Sequence, residues 1–148
     1  RHGGSIDKFL GDGILATFGA AMPSDTHAAD ALRALEAVIA AGDAWSQSRG
    51  KVGAEPMALG AAVATGRVVF GAVGDESRLE YTVIGDAVNL AAKLEKHNKA
   101  IGARALVASE TYDLAVSQGY RPAKQPQRIS GVEIVGVEGP VELMVLAR

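Results

Sequence analysis

Asp12 lies between Gly11 and Gly13, and the Gly-Asp-Gly triplet separates two short apolar runs, residues 6–10 and 14–18. A carboxylate so free of neighbouring side chains can offer hard oxygen to magnesium or manganese. The same residue can equally serve as a turn Asp that bonds its own backbone. Lys8, four residues earlier, returns to the same face of a strand and can donate its ammonium to a ring acceptor. Lysine is also commonplace on exposed sheet edges. The Thr82 hydroxyl can both donate and accept, although threonine is in any case a good strand residue. Asn89 and Lys93 are four apart on a predicted helix and share a face, which alone describes an ordinary amphipathic helix.

The surrounding elements decide where these groups can meet. Residues 6–10 and 14–18 read as a hairpin with Asp12 at its tip. From Ser24, Asp25 and Thr26, any of which can cap a helix, an Ala-rich segment to Arg49 places Leu32, Leu35, Ile39 and Trp45 at helical spacing, with Gly50 as its stop. Residues 59–65 and 67–72 are β-like and divide at Gly66, residues 74–78 form a polar turn, and residues 81–84 form a further strand. Gly85-Asp86 opens a helix to about His97, with Asp86 near its positive end. Residues 105–108 read as a strand, 109–117 as a short helix capped by Ser109, 121–126 as a surface loop, and 128–146 as one or two strands. This order predicts an α+β fold: a ferredoxin-like sandwich whose mostly antiparallel sheet carries its helices on one face.

The 148 residues fit one domain, and we take 1–148 as a single unit. A formal net charge of -2 without long runs of either sign argues against a nucleic-acid partner. The absence of Cys excludes disulfides, thiolate catalysis and Cys-ligated zinc. The most apolar stretches, 57–64 and 68–73, are far shorter than the roughly 20 residues of a membrane helix. The expectation is a soluble, cytoplasmic domain without a signal peptide, by itself or as the cytoplasmic part of a larger sensory or membrane protein. Gly66, Gly71 and Gly74 are spaced too irregularly for a dinucleotide fingerprint and lack the Lys-Ser/Thr of a P-loop. His2, His27 and His97 have no ligand spacing and read as surface residues.

Three stretches, residues 3–13, 65–74 and 81–95, resemble in their order and intervals the catalytic domain of class III nucleotidyl cyclases, in particular the bacterial subgroup that pairs Lys with Thr. The resemblance implies an adenylyl cyclase that converts ATP to cyclic AMP and pyrophosphate, with two divalent cations, Mg2+ or Mn2+. It assigns Asp12 to the metals, Lys8 and Thr82 to adenine, Asn89 to the ribose and Lys93 to the transition-state phosphate. It further implies a head-to-tail homodimer with its sites at the interface. In the family the strand bearing the first metal Asp and a helical pair precede the stretch that begins here at Gly3, so the fold expected over this chain is N-terminally incomplete and the second metal Asp lies outside it. Lys93 departs from the family's Val-Asn-x-Ala-x-Arg pattern, keeping the charge but losing the planar fork that suits phosphate. The alternative is a weakly active or inactive cyclase-like domain kept for dimerisation or regulation that still binds nucleotide. Residues 65–74 match a family hairpin followed by an arm that reaches across the dimer.

Overall fold

A computed structural model describes residues 2–148. The chain opens with a hairpin of β1 (Ser5–Leu10) and β2 (Gly13–Thr17), followed by α1 (His27–Gly50) and β3 (Ala61–Val63). A second hairpin, β4 (Val69–Asp75) and β5 (Arg78–Ile84), leads through Gly85 into α2 (Asp86–Ala100). β6 (Ala105–Ala108), α3 (Ser109–Ser117), β7 (Gln127–Val132) and β8 (Val141–Ala147) complete the order.

The main sheet has the strand order β3-β6-β8-β7, with β3 parallel to β6 and the other neighbours antiparallel. The mostly antiparallel α+β architecture expected from the sequence is therefore what the chain adopts. The helices, however, lie on both faces of this sheet rather than on one. Successive strand residues point to opposite faces. Ala105 and Val107 of β6 join Leu32, Leu35 and Ile39 of α1 and Ala115 of α3 in one core, whereas Leu106 joins Leu94 of α2, Leu143 and Val145 in another.

Local chemistry fixes the helix ends. Thr26 precedes α1 and donates its hydroxyl to Asp30 at 2.6 Å, while the Gln118 side-chain oxygen accepts from the Ala28 and Ala29 N–H groups at 2.9 and 3.1 Å. A residue from beyond α3 thus satisfies donors that every helix start leaves open. Leu32, Leu35 and Ile39 are buried as the periodicity predicts. Trp45 is instead exposed, with the Arg49 guanidinium 5.3 Å from its ring centre. Ser109 does not cap α3. It is the first helical residue, Ala108 holds the cap position, and the buried Ser109 hydroxyl has no hydrogen-bond partner among the described residues. His97 is only partly at the surface, since its Nε2 is buried.

Residues 65–74 do not form a hairpin of their own. β3 leaves for the main sheet, and β4 pairs along its whole length with β5, from Val69 opposite Ile84 to Asp75 opposite Arg78. At the tip Asp75 accepts from the Ser77 hydroxyl at 2.5 Å and from the Ser77 and Arg78 N–H groups at 2.8 and 3.1 Å. Those bonds, the Ser77 hydroxyl foremost, hold its carboxyl below the usual carboxylate range. Across the molecule, Arg104 ahead of β6 forks onto Asp43 of α1, and its hydrogen bond lowers the Asp43 pKa.

Tyr120 is fully buried in the α1–α3 core. Burial, and after it the neighbouring Glu36 carboxylate, pushes its hydroxyl above the ordinary tyrosine value of 10.0. The folded chain therefore keeps this proton to higher pH than the unfolded chain. The resulting stability is present below about pH 10 and is lost as pH rises towards the folded value. Urea-unfolding midpoints of the wild type should fall more steeply above about pH 10 than those of Tyr120→Phe; parallel profiles would contradict this.

Candidate active site

Lys8 sits on β1 and Thr82 on β5, 74 positions apart, yet a third side chain joins them. Asp7 Oδ2 accepts a hydrogen bond from the Thr82 hydroxyl at 3.1 Å and lies 3.6 Å from the Lys8 ammonium. The Asp7 side chain is 2% exposed against 35% for that of Lys8, so the carboxylate is covered while the ammonium still reaches solvent. A buried carboxylate requires such partners. The contact depends on an irregularity: Ile6 pairs with Ala16 and Lys8 with Leu15, leaving Asp7 as an extra residue between them. A bulge of this kind re-aims a side chain that strict alternation would send to the opposite face from its neighbour. Sequence reasoning missed Asp7, because bulges have no reliable signature; the one available signal was an aspartate in a strand, where that residue is uncommon.

Asp12 is exposed in the turn between β1 and β2. Gly11 has φ +62°, a conformation that glycine adopts readily and that lets the chain make the tight turn carrying Asp12. Among the described residues no group of three or more His, Asp or Glu side chains assembles into a metal cage. The accessible hard oxygen of Asp12 fits one ligand of a magnesium-type ion that takes its others from waters, phosphates or a further carboxylate.

On α2, Leu94 is buried in the core and Leu90 packs against it, which leaves Asn89 exposed and Lys93 half-buried on the flank. The Lys93 ammonium donates to the backbone carbonyl of Gly136, in the loop between β7 and β8. Gly136 has φ +79°, and a Cβ built there would stand 3.2 Å from Lys93 Cε. The structure thus assembles Lys8 with Thr82 and sets Asn89 beside Lys93 on one helix, while Asp12 stands apart at its turn.

The profile of the Adenylate and Guanylate cyclase catalytic domain matches residues 6–145. The chain belongs to this family. It is 32% identical over 144 residues to Adenylate cyclase 1 of Rhizobium meliloti, covering 95% of this chain and 22% of that protein. It is 38% identical over 109 residues to Adenylate cyclase of Anabaena cylindrica, covering 71% of this chain and 21% of that protein. The cyclase chain therefore spans about a fifth of the length of these relatives. Among solved structures, the adenylyl cyclase CyaB from P. aeruginosa matches with a TM-score of 0.78 and 25% identity, over 99% of this chain and 73% of that one. The guanylyl cyclase Cya2 matches with a TM-score of 0.73 and 28% identity, over 97% and 70%. Cyclases named for either purine are thus among its neighbours, and the family alone does not choose the base.

Gly136→Ala would force a Cβ into the left-handed region and against Lys93. It should cost about 1–2 kcal/mol of stability by chemical denaturation. A variant as stable as the wild type would show that this loop is free to move away from Lys93.

Proposed function

We propose that the chain is an adenylyl cyclase catalytic domain that turns ATP into cyclic AMP and pyrophosphate. The observation that carries this reading is the convergence of Lys8 and Thr82, from two separate hairpins, on the Asp7 carboxylate. Lys8 donates to an adenine ring nitrogen and Thr82 engages the adenine amino group. Asn89 orients the ribose so that its 3′-oxygen faces the α-phosphorus. The new bond joins that oxygen to phosphorus, the bond from phosphorus to the departing pyrophosphate oxygen breaks, and the hydroxyl proton leaves to solvent. Lys93 stabilises the charge that builds on the phosphate oxygens. Asp12 would hold one of two divalent cations, Mg2+ or Mn2+, together with a further carboxylate. When bound, the cations polarise the phosphate and lower the pKa of the attacking hydroxyl.

The hairpins support a homodimer. Phe9 is 72% and Tyr81 73% exposed, and Val69, Leu79 and Ile84 are exposed beside Tyr81 on the second hairpin. Apolar surface gathered on two-stranded ribbons is typical of an interface. In a head-to-tail pair each site takes its metal carboxylates from one chain and Lys8, Thr82, Asn89 and Lys93 from the other, and two-fold symmetry gives two equivalent sites. We take residues 1–148 as part of one such domain, working in the cytoplasm, where ATP is abundant. Among the described residues no helix is long and apolar enough to cross a membrane.

A second reading, a weakly active or inactive regulatory domain that still binds nucleotide, is favoured by Lys93. It stands where the family pattern has Arg, and its ammonium is engaged by the Gly136 carbonyl. Cyclic AMP formation from ATP with manganese separates the two. The wild type should be active, with Asp12→Ala lowering the rate about a hundredfold or more, as loss of a charge-stabilising group commonly does. Full activity in Asp12→Ala would overturn the mechanism. A silent, folded dimer restored by Lys93→Arg would establish the regulatory reading.

A further inference from the structure

We propose that Asp7 is a positioning residue that sets the choice of purine by fixing the direction of the Thr82 hydroxyl proton. The inference rests on the adenylyl cyclase reading and deepens it. A threonine hydroxyl owns one proton and two lone pairs, so in the absence of constraint it can meet either a donor or an acceptor. An ionised carboxylate accepts only. With Asp7 Oδ2 at 3.1 Å, the Thr82 proton points into the protein, and the hydroxyl can offer a ligand only its lone pairs. The Lys8 ammonium, drawn to the same carboxylate at 3.6 Å, offers only donors.

The Thr82–Lys8 pair therefore presents one acceptor and one donor in a set order. Adenine matches it: the exocyclic amino group donates to Thr82, and the adjacent ring nitrogen accepts from Lys8. Guanine reverses both groups, with a carbonyl oxygen in place of the amino group and an N–H in place of the bare nitrogen. Its carbonyl would face the Thr82 lone pairs and its N–H the Lys8 ammonium. Burial raises the stakes, because Thr82 is only 7% exposed and water cannot readily repair a mismatch there. Without Asp7 the hydroxyl can turn outward and donate, and the pair ceases to distinguish the two bases by its proton.

The test compares the ATP and GTP reactions of the complete protein, through kcat/KM for each cyclic product and through the dissociation constants of the two nucleotides. The wild type should prefer ATP. Asp7→Asn is isosteric, and its amide can donate to Thr82 and release the hydroxyl proton outward; the ATP-to-GTP ratio should fall about ten- to a hundredfold, the span expected for one unpaired buried group. Part of that fall should be a gain with GTP, which general damage to the fold would not produce. Asp7→Glu keeps an acceptor and should restore much of the ratio. In a Thr82→Val background Asp7→Asn should change the ratio no further, since the coupled partner is gone. If Asp7→Asn does not fold, Asp7→Ala carries the same expectation. An ATP preference that Asp7→Asn or Asp7→Ala leaves intact would overturn the role of Asp7 alone; a wild type that treats ATP and GTP alike would overturn the adenylyl reading together with it.

Discussion

The alternation of three residues on β6 is the constraint on which the rest of the chain depends. Ala105 and Val107 enter the core shared with α1 and α3, and Leu106 enters the core shared with α2. A one-residue slip in register would exchange these faces and empty both cores. β6 can serve two cores because it lies between β3 and β8, buried on both sides. Its hold on α2 also sets the candidate site: with Leu90 and Leu94 turned to the core, Asn89 and Lys93 fall one position earlier and come to lie on the flank.

The two hairpins stand apart from this frame as separate two-stranded sheets. Each exposes large apolar side chains, and each contributes one of the two residues we assign to the base. A two-stranded ribbon has little stability of its own in water, so contacts between ribbons matter. The Thr82–Asp7 hydrogen bond is such a contact, with a covered carboxylate at its centre. One interaction thus both ties the hairpins together and brings Lys8 and Thr82 onto one carboxylate.

Much of this was legible in the sequence for identifiable reasons. The spacing of Leu32, Leu35 and Ile39 announced α1, Gly11-Asp12-Gly13 announced the first turn, and Gly85-Asp86 announced the start of α2, because caps, periodicity and tight turns are local. Pairings between distant segments were not legible. β3 pairs with β6, 44 positions further on, rather than with the following β4, and α2 crosses to the face opposite α1 and α3, since both outcomes are decided by tertiary burial rather than by local propensity. Asp7 escaped notice because a bulge turned it towards a residue 75 positions away. Ser109 was misread as a cap because a serine at the start of a helix fits the cap and the next position about equally well from sequence.

In the function we propose, this chain holds a purine nucleotide between its hairpins and α2, with a second chain completing the site. The most direct measurement is a crystal structure of the protein with a non-cyclisable ATP analogue and manganese. The account predicts a two-fold dimer in which the adenine meets Lys8 and Thr82, the ribose meets Asn89 of the same chain, and Asp12 of the opposite chain reaches the metal at the phosphates. A nucleotide bound within a single chain, or with its base away from Thr82, would contradict it.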